Sequence, residues 1–180
     1  TRPRAARYAS AEMASIKPVE RALDERMLLT GPVTLYHDRT ILDDDAGALR
    51  SLGYRVYVLD ASHWRTTGAF HSGVRLMLDI RGKYIENLDG FSDGLSRLQL
   101  SENGRAALVF LHFDVFARQC RLLAKQVLDI IATQSRAYLL DGQRLLALVQ
   151  TDSPTLEVEP VGAVPVTFNE REWSLVIRKV

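Results

Sequence analysis

Apolar residues recur along residues 33–150 in two alternating patterns, short β-rich runs and longer stretches with helical spacing. The runs at 33–37, 54–60 and 107–113 are typical of strands, and the last is almost continuously apolar, as expected for a strand covered on both faces. Helical spacing also precedes the first run, at residues 18–28. Strands that alternate with helices favour a parallel sheet with crossover helices.

Acidic residues and a glycine mark the ends of the next predicted helix. Three consecutive acids, Asp43–Asp45, stand before an apolar pattern of helical spacing, and Gly53 follows it. We interpret the acids as a helix N-terminus, where negative charge is favourable, and the glycine as the helix end. A metal site is the alternative for the acids, but no second group of ligands accompanies them. Residues 54–60 then look buried on both faces.

The second half of the chain contains one long helical pattern. Asp114 is expected to cap this helix, and its apolar positions continue to about Gln134. Asp141-Gly142 is a dipeptide favoured in tight turns, so we expect either a β-hairpin or a strand that follows the turn and ends near Val149. Prolines interrupt residues 151–180, which predicts edge strands or a wrapping segment, because proline cannot donate to a central ladder.

Composition and charge narrow the class of protein. The chain has 180 residues, of which 47% are hydrophobic and 25% are charged, as expected for one soluble domain with a substantial core. Its formal charge of +1 argues against direct binding of nucleic acid through phosphates. Cys120 is the single cysteine, so no internal disulfide is expected and the cytoplasm is the predicted location. No apolar run predicts a membrane span or a leader peptide.

The sequence contains no clear motif for binding a cofactor or a metal. No glycine-rich phosphate loop is present, and the histidines are too scattered for a metal site; they are His37, His63, His71 and His112. Of these, His71 lies beside apolar positions and is expected to hydrogen-bond within the fold. Cys120 falls on the apolar side of the long helix, which favours a buried thiol over a nucleophile. We therefore expect no cofactor and no metal.

The stretch 83–95 holds the main candidate site. Asn87 can act as an N-cap, and the apolar residues after it have helical spacing and would bury one stripe of a short helix; they are Leu88, Phe91, Leu95 and Leu98. Asp89 and Asp93, four residues apart, would then stand side by side on an exposed flank. Like charges in this arrangement weaken a helix by about 0.2–0.5 kcal/mol, so helix stability alone does not explain the pair.

Three hypotheses fit the acidic flank formed by Glu86, Asp89 and Asp93. It can be the solvated face of a helix with no further role, which charge alone favours. It can supply acids and bases to an enzyme, since paired carboxylates can have divergent pKa values, but no substrate-binding motif accompanies it. It can also attract a protein with a basic cleft and accept hydrogen bonds from its arginine or lysine side chains.

The segment Tyr84-Ile85-Glu86-Asn87-Leu88-Asp89, followed by Asp93, resembles the tyrosine-glycine-x-asparagine-leucine-aspartate segment of the barstar family, intracellular inhibitors of the secreted ribonuclease barnase. Upstream, Leu59-Asp60 resembles the end of the strand before the family's first helix, and Phe70-His71 resembles the hydrophobic-histidine pair in that helix. Downstream, an apolar strand, a long helix and a further strand follow in the family's order. The resemblance covers about residues 55–150.

The resemblance implies an α/β fold with a small parallel β-sheet packed against helices. It divides the chain into an N-terminal extension at 1–53, packed on or leading into the core, a barstar-like domain at 54–150, and a C-terminal extension at 151–180. Both extensions are expected to add elements to the fold. Asn169–Trp173 resembles a feature of the longer bacterial members of the family.

The resemblance also implies a non-catalytic function, in which this loop and helix enter the active site of a ribonuclease or related toxin, as in an immunity protein or antitoxin. In the family, the position of Asp93 supplies the principal carboxylate and that of Asp89 a second acidic contact, while Asn87 and Tyr84 help to shape the loop. The expected partner is a protein with a basic active-site cleft, with neither nucleic acid nor membrane bound directly. The sequence leaves the oligomeric state open.

Positions around the acidic flank depart from the family pattern. Lys83 stands where the family has a contacting tyrosine, Ile85 replaces the loop glycine, and Ser92 replaces a tryptophan. Lys83 weakens the negative field by an amount that salt would screen, and Ile85 removes the permissive φ of glycine. Lys83, Ile85 and Glu86 complete the candidate partner-binding residues. The alternative function is a protein-interaction module of the same fold, with a partner that is not a nuclease.

Overall fold

The computed structural model describes residues 22–78 and 84–172, in which helices alternate with strands. In chain order the elements are α1 (Leu23–Thr30), β1 (Val33–Tyr36), α2 (Arg39–Ser51), β2 (Arg55–Asp60), α3 (Thr67–Met77), α4 (Leu88–Ser96), β3 (Arg105–Leu111), α5 (Phe113–Gln119), α6 (Arg121–Leu140), β4 (Arg144–Gln150) and β5 (Thr167–Phe168). Residues 18–21 of the predicted first helix, Lys83 and Trp173 lie outside the described ranges. Of the helices within those ranges, none is long and apolar enough to cross a membrane.

The strands form one parallel sheet in the order β2-β3-β4-β1-β5. β3 and β4 pair at its centre, from Arg105 opposite Arg144 to Phe110 opposite Val149. Side chains of these two strands alternate between two covered faces, so both strands are apolar almost throughout. β1 precedes residue 54 and β5 follows residue 150, so segments from both ends of the chain extend the same sheet.

Helices cover both faces of this sheet. On one face, α3, α4, α5 and α6 enclose a core rich in aromatic rings, where Trp64, Phe70 and Phe116 have ring centroids 5.2–5.5 Å apart. On the other face, α1 and α2 bury a smaller core that includes Leu42 and Leu49. Burial of one large apolar side chain stabilises the fold by roughly 1.5–3 kcal/mol. The aromatic core therefore anchors α3 and α4, which carry the candidate site.

Helix α2 begins earlier than the sequence pattern predicts. Asp38 is its N-cap, and the Asp38 carboxylate accepts from the backbone N–H groups of Thr40 at 2.7 Å and Ile41 at 3.2 Å. The interpretation of Asp43–Asp45 as the helix N-terminus is therefore wrong, because these residues lie in the second turn. Gly53 does follow the helix as expected, with a φ of +81° that few other residues adopt easily.

The long helical pattern of the second half forms two helices, α5 and α6, which meet at the half-buried Cys120. Asp114 does not cap the first of them, because the residue at the N-cap position is His112. The buried Asp114 carboxylate instead accepts from the backbone N–H of Asp152 at 3.1 Å. α6 continues to Leu140, past the predicted end, because its last turns still pack on the sheet.

The pairing and order of the strands test three further predictions. Asp141-Gly142 forms a turn between α6 and β4, and β4 pairs in parallel with its neighbours. The predicted strand that follows a turn is therefore confirmed, and the alternative of a β-hairpin is wrong. β2 lies at the sheet edge, and within it only Leu59 is buried, so the prediction of two buried faces is also wrong. β5 is an edge strand, as the proline-rich segment predicts.

Candidate partner-binding site

The short helix α4 carries the acidic flank, and Asn87 fixes its start. The Oδ1 atom of Asn87 accepts from the backbone N–H of Gly90 at 2.8 Å, which satisfies one of the groups that a first helical turn leaves unpaired. The predicted apolar stripe faces the core, where Phe91 and Leu95 are fully buried and Leu88 is half-buried. The predicted N-cap and buried stripe are both confirmed.

α6 supports α4 from the inner side through two polar contacts. The Tyr138 hydroxyl donates to the backbone oxygen of Leu95 at 2.6 Å, and the Gln134 side-chain amide donates to the Ser92 hydroxyl at 3.0 Å. Nothing in the sequence spacing indicates either contact, because the partners are more than 40 residues apart along the chain. These bonds hold α4 in place relative to the sheet.

The segment before α4 is packed tightly against that helix. The backbone oxygen of Ile85 accepts from the backbone N–H of Asn87 at 2.8 Å. Gly90 lies so close that a Cβ atom on it would be 2.0 Å from the same Ile85 oxygen. The half-buried Tyr84 places its hydroxyl 2.7 Å from Nδ1 of His71 on α3, which confirms the predicted hydrogen bond of that histidine within the fold. Contacts to α3 and to α4 therefore set the shape of this loop.

Burial changes the titration of both members of the His71–Tyr84 contact. His71 is 1% exposed, and burial lowers its pKa from the ordinary value of 6.5, an effect partly offset by the negative charge of Glu86. Burial, together with Glu86, raises the pKa of Tyr84 to about 12. Near neutral pH the imidazole is therefore uncharged, and the protonated phenol can donate to its ring nitrogen.

Acid is expected to destabilise the fold around this loop. Because the pKa of His71 in the folded protein lies below 6.5, the unfolded chain takes up this proton first as the pH falls. The free energy of unfolding therefore decreases from pH 6.5 down to the pKa of the folded state. Urea unfolding between about pH 5 and 7 measures the slope, and His71→Gln should flatten it.

The other histidine with a shifted pKa does not obscure this slope. The hydrogen bond that the His112 ring donates to the Asp152 carboxylate raises the pKa of His112. The stabilisation by His112 is therefore complete below pH 6.5 and is lost as the pH rises through the higher pKa of the folded state. His112 thus acts mainly above pH 6.5 and His71 mainly below it. An unchanged slope in His71→Gln below pH 6.5 would contradict the assignment of this effect to His71.

The outer side of α4 carries its charges in water. Glu86 and Asp89 are exposed, and the Asp93 side chain is 72% exposed. One carboxylate oxygen of Asp93 lies 3.5 Å from Nη2 of Arg97, whose side chain is 76% exposed. An ion pair between exposed side chains contributes only about 0–1 kcal/mol, so Asp93 can exchange this partner for another at little cost.

Within the described ranges, the structure brings most of the predicted site residues together on one loop and one helix. Ile85, Glu86, Asn87, Asp89 and Asp93 are all exposed there, while Tyr84 is half-buried beneath them. Lys83, the remaining member of the predicted set, lies outside the described ranges.

Arg97 is the charged residue of this surface that sequence reasoning missed. Its spacing of four residues from Asp93 is the signal that could have identified it, because residues four apart on a helix are neighbours.

Two histidines elsewhere in the described ranges have side-chain partners within the fold. His112 Nδ1 lies 2.7 Å from an Asp152 carboxylate oxygen, and His37 Nδ1 lies 3.1 Å from the backbone oxygen of Thr151. Across residues 22–78 and 84–172, no group of three or more histidine, cysteine or acidic side chains is arranged to hold a metal ion.

Comparison with known proteins relates the chain to a protein family. A family model described as Barstar (barnase inhibitor) matches residues 54–150, more than half of the chain. No curated protein matches the chain. A solved structure described as Drosophila ORC bound to AT-rich DNA and Cdc6 is 14% identical, with a TM-score of 0.43, and the match covers 70% of this chain and 42% of that one. The match thus spans less than half of that protein, and at this TM-score it supports no functional conclusion.

Proposed function

The chain belongs to the barstar family, and on this premise we propose that it is a cytoplasmic, non-catalytic inhibitor of a ribonuclease or related toxin. In this proposal the 84–87 loop and α4 enter the basic active-site cleft of the partner. The observation that supports it is the position of Asp89 and Asp93 on the exposed side of a helix whose other side is anchored in the core.

The chemistry of a ribonuclease cleft explains why carboxylates suit this task. A cleft that binds RNA phosphates presents arginine and lysine side chains, which form strong charge-assisted hydrogen bonds with carboxylates as well. Asp89 and Asp93 can therefore take the place of phosphates. Their negative field also speeds encounter with a positive surface, by an amount that falls as salt is added.

The rigidity of the loop and helix lowers the cost of binding. Asn87 caps α4, Tyr84 is bonded to the buried His71, and Tyr138 holds Leu95 from the inside. A surface held in place in this way loses little conformational entropy when a partner binds it. The carboxylates are thus presented before the partner arrives.

Asp93→Asn is expected to weaken inhibition of barnase, the ribonuclease named in the family description, by about tenfold. This corresponds to about 1.4 kcal/mol, a modest loss because Asp93 is exposed and Asp89 stays in place. The measurement is the inhibition constant for RNA cleavage by barnase at low and at physiological salt. The difference between the proteins should shrink as salt rises.

Asp43→Asn is the matched control, because it removes the same charge from an exposed position on α2. It should leave the inhibition constant within about twofold of the unaltered chain, since α2 covers the other face of the sheet. Equal inhibition by the unaltered chain and by a variant lacking both Asp89 and Asp93 carboxylates would contradict the proposed surface.

A second candidate is a protein-interaction module with a partner that is not a nuclease. It is supported by Ile85, an apolar side chain that is 54% exposed beside the acidic flank. A basic cleft shaped for phosphates gains little from such a side chain, whereas a protein surface with an apolar pocket does. The inhibition assay decides between the two, because this second function does not predict any effect on RNA cleavage.

A further inference from the structure

Three charged residues line the exposed side of α4 and its C-terminal cap. Asp89 and Asp93 lie within α4, and Arg97 is the C-cap residue. The three are each four positions apart, so they form one stripe with a spacing of about 6 Å along the axis. The stripe is negative at the N-terminal end of α4 and positive at its C-terminal end. The contact between Asp93 and Arg97, at 3.5 Å, joins its two halves.

The charge of Arg97 stabilises α4 and is also felt by a partner that binds this surface. A cation near a helix C-terminus stabilises the helix by about 0.3–1 kcal/mol, which explains why Arg97 is tolerated there. Yet Arg97 is 76% exposed, and the charge lies one helical turn from Asp93. That separation is shorter than the Debye length of about 8 Å at physiological salt, so a partner that contacts Asp93 also interacts with Arg97.

We infer that Arg97 determines which partner this surface accepts, an inference that rests on the proposed function. The stripe fits a ribonuclease whose basic cleft is bordered by a carboxylate, placed about one helical turn from the cation that meets Asp93. A cleft that is basic throughout places a cation opposite Arg97 and is disfavoured by like-charge repulsion. Arg97 is therefore a selectivity residue, and its main effect is to exclude partners with uniformly basic clefts.

Barnase serves as the probe of a phosphate-binding cleft. Arg97→Gln is expected to associate with barnase about threefold to tenfold faster than the unaltered chain at low salt, because repulsion acts mainly on the association rate. Arg97→Lys, which keeps the charge, should behave like the unaltered chain. A uniform binding rate across the unaltered chain, Arg97→Gln and Arg97→Lys would overturn the inference, as would failure of Arg97→Gln to bind barnase at all.

Arg50→Gln is the matched control, because it removes the same charge from an exposed position in the last turn of α2. It should change the association rate by less than about twofold, since α2 covers the opposite face of the sheet from α4. Equal acceleration by Arg97→Gln and Arg50→Gln would show a net-charge effect only, and would overturn the role of Arg97.

Asp93→Asn separates failure of this inference from failure of the proposed function. If Asp93→Asn weakens barnase binding while Arg97→Gln has no effect, the inhibitor function stands and the selectivity role is wrong. If Asp93→Asn has no effect, the proposed surface itself is wrong. The positive test uses a library of barnase variants substituted at the rim of the cleft. Selection for binding to the unaltered chain should enrich acidic substitutions, and selection for binding to Arg97→Gln should not.

Discussion

Gly90→Ala is expected to displace the 84–87 loop and to lower the free energy of unfolding by about 2–3 kcal/mol, as overpacking of a rigid site does. The added Cβ would lie 2.0 Å from the backbone oxygen of Ile85 and 2.9 Å from its carbonyl carbon. Both atoms are backbone, so no side chain can rotate away to make room. The Ile85 oxygen also accepts from Asn87, and displacing it disturbs the cap of α4.

Gly47→Ala is the control for Gly90→Ala, because Gly47 lies in α2 and a Cβ on it meets nothing within 4 Å. This variant should be more stable than the unaltered chain by about 0.5–1 kcal/mol, the usual gain for alanine over glycine in a helix. Urea unfolding measures both variants, and amide hydrogen exchange at Asn87 reports on the loop. Stabilisation by Gly90→Ala would show that the loop is not packed as described.

Asp45→Ala is expected to lower the free energy of unfolding by about 3 kcal/mol, the lower end of the range for removing one partner of a buried ion pair. The carboxylate of Asp45 accepts from the Tyr36 hydroxyl at 2.9 Å, from the Asn169 amide at 2.8 Å and from Arg171 at 2.8 Å. Asp45 and Tyr36 are buried, so the variant leaves polar groups there with too few partners. Arg171 stays partly in water, which limits the loss.

The same experiment tests whether Asp45 holds the segment after β4 in place. Asn169 also donates its backbone N–H to Leu35 of β1, and faster hydrogen exchange at Asn169 in Asp45→Ala would show that this end of the chain is released. Asp43→Ala is the control, since Asp43 is exposed and pairs only on the surface with Arg39; it should cost less than about 1 kcal/mol. A similar cost for both variants would contradict the buried role of Asp45.

Asp45 shows why a sequence pattern can identify a residue and still misplace its role. The sequence shows three adjacent aspartates before an apolar stripe, and capping is the common explanation for such a group. The cap is Asp38, five residues before Asp43. Asp45 is buried because α2 rests on β1 and because Asn169, more than 120 residues later, returns to it. A contact at that separation leaves no periodic trace in the sequence.

The candidate site was more predictable, because most of it is local. The cap at Asn87 and the buried stripe depend on residues within about one helical turn of each other, and the structure confirms both. The role of Gly90 was not predicted, since its constraint comes from the path of the loop folded back over α4. The contacts of α6 with Leu95 and Ser92 were not predicted either, because they join elements that meet only in the folded sheet.

The sequence by itself therefore determines the acidic helix of the site, the α/β class and the apolar central strands. Each of these depends on hydrophobic period or capping, which act over a few residues. Only the tertiary structure decided the strand order β2-β3-β4-β1-β5 and the edge position of β2. It also decided the contact of His71 with Tyr84 and the buried network around Asp45. These features depend on which distant segments of the chain pack against each other, and only the packing of the whole chain determines those contacts.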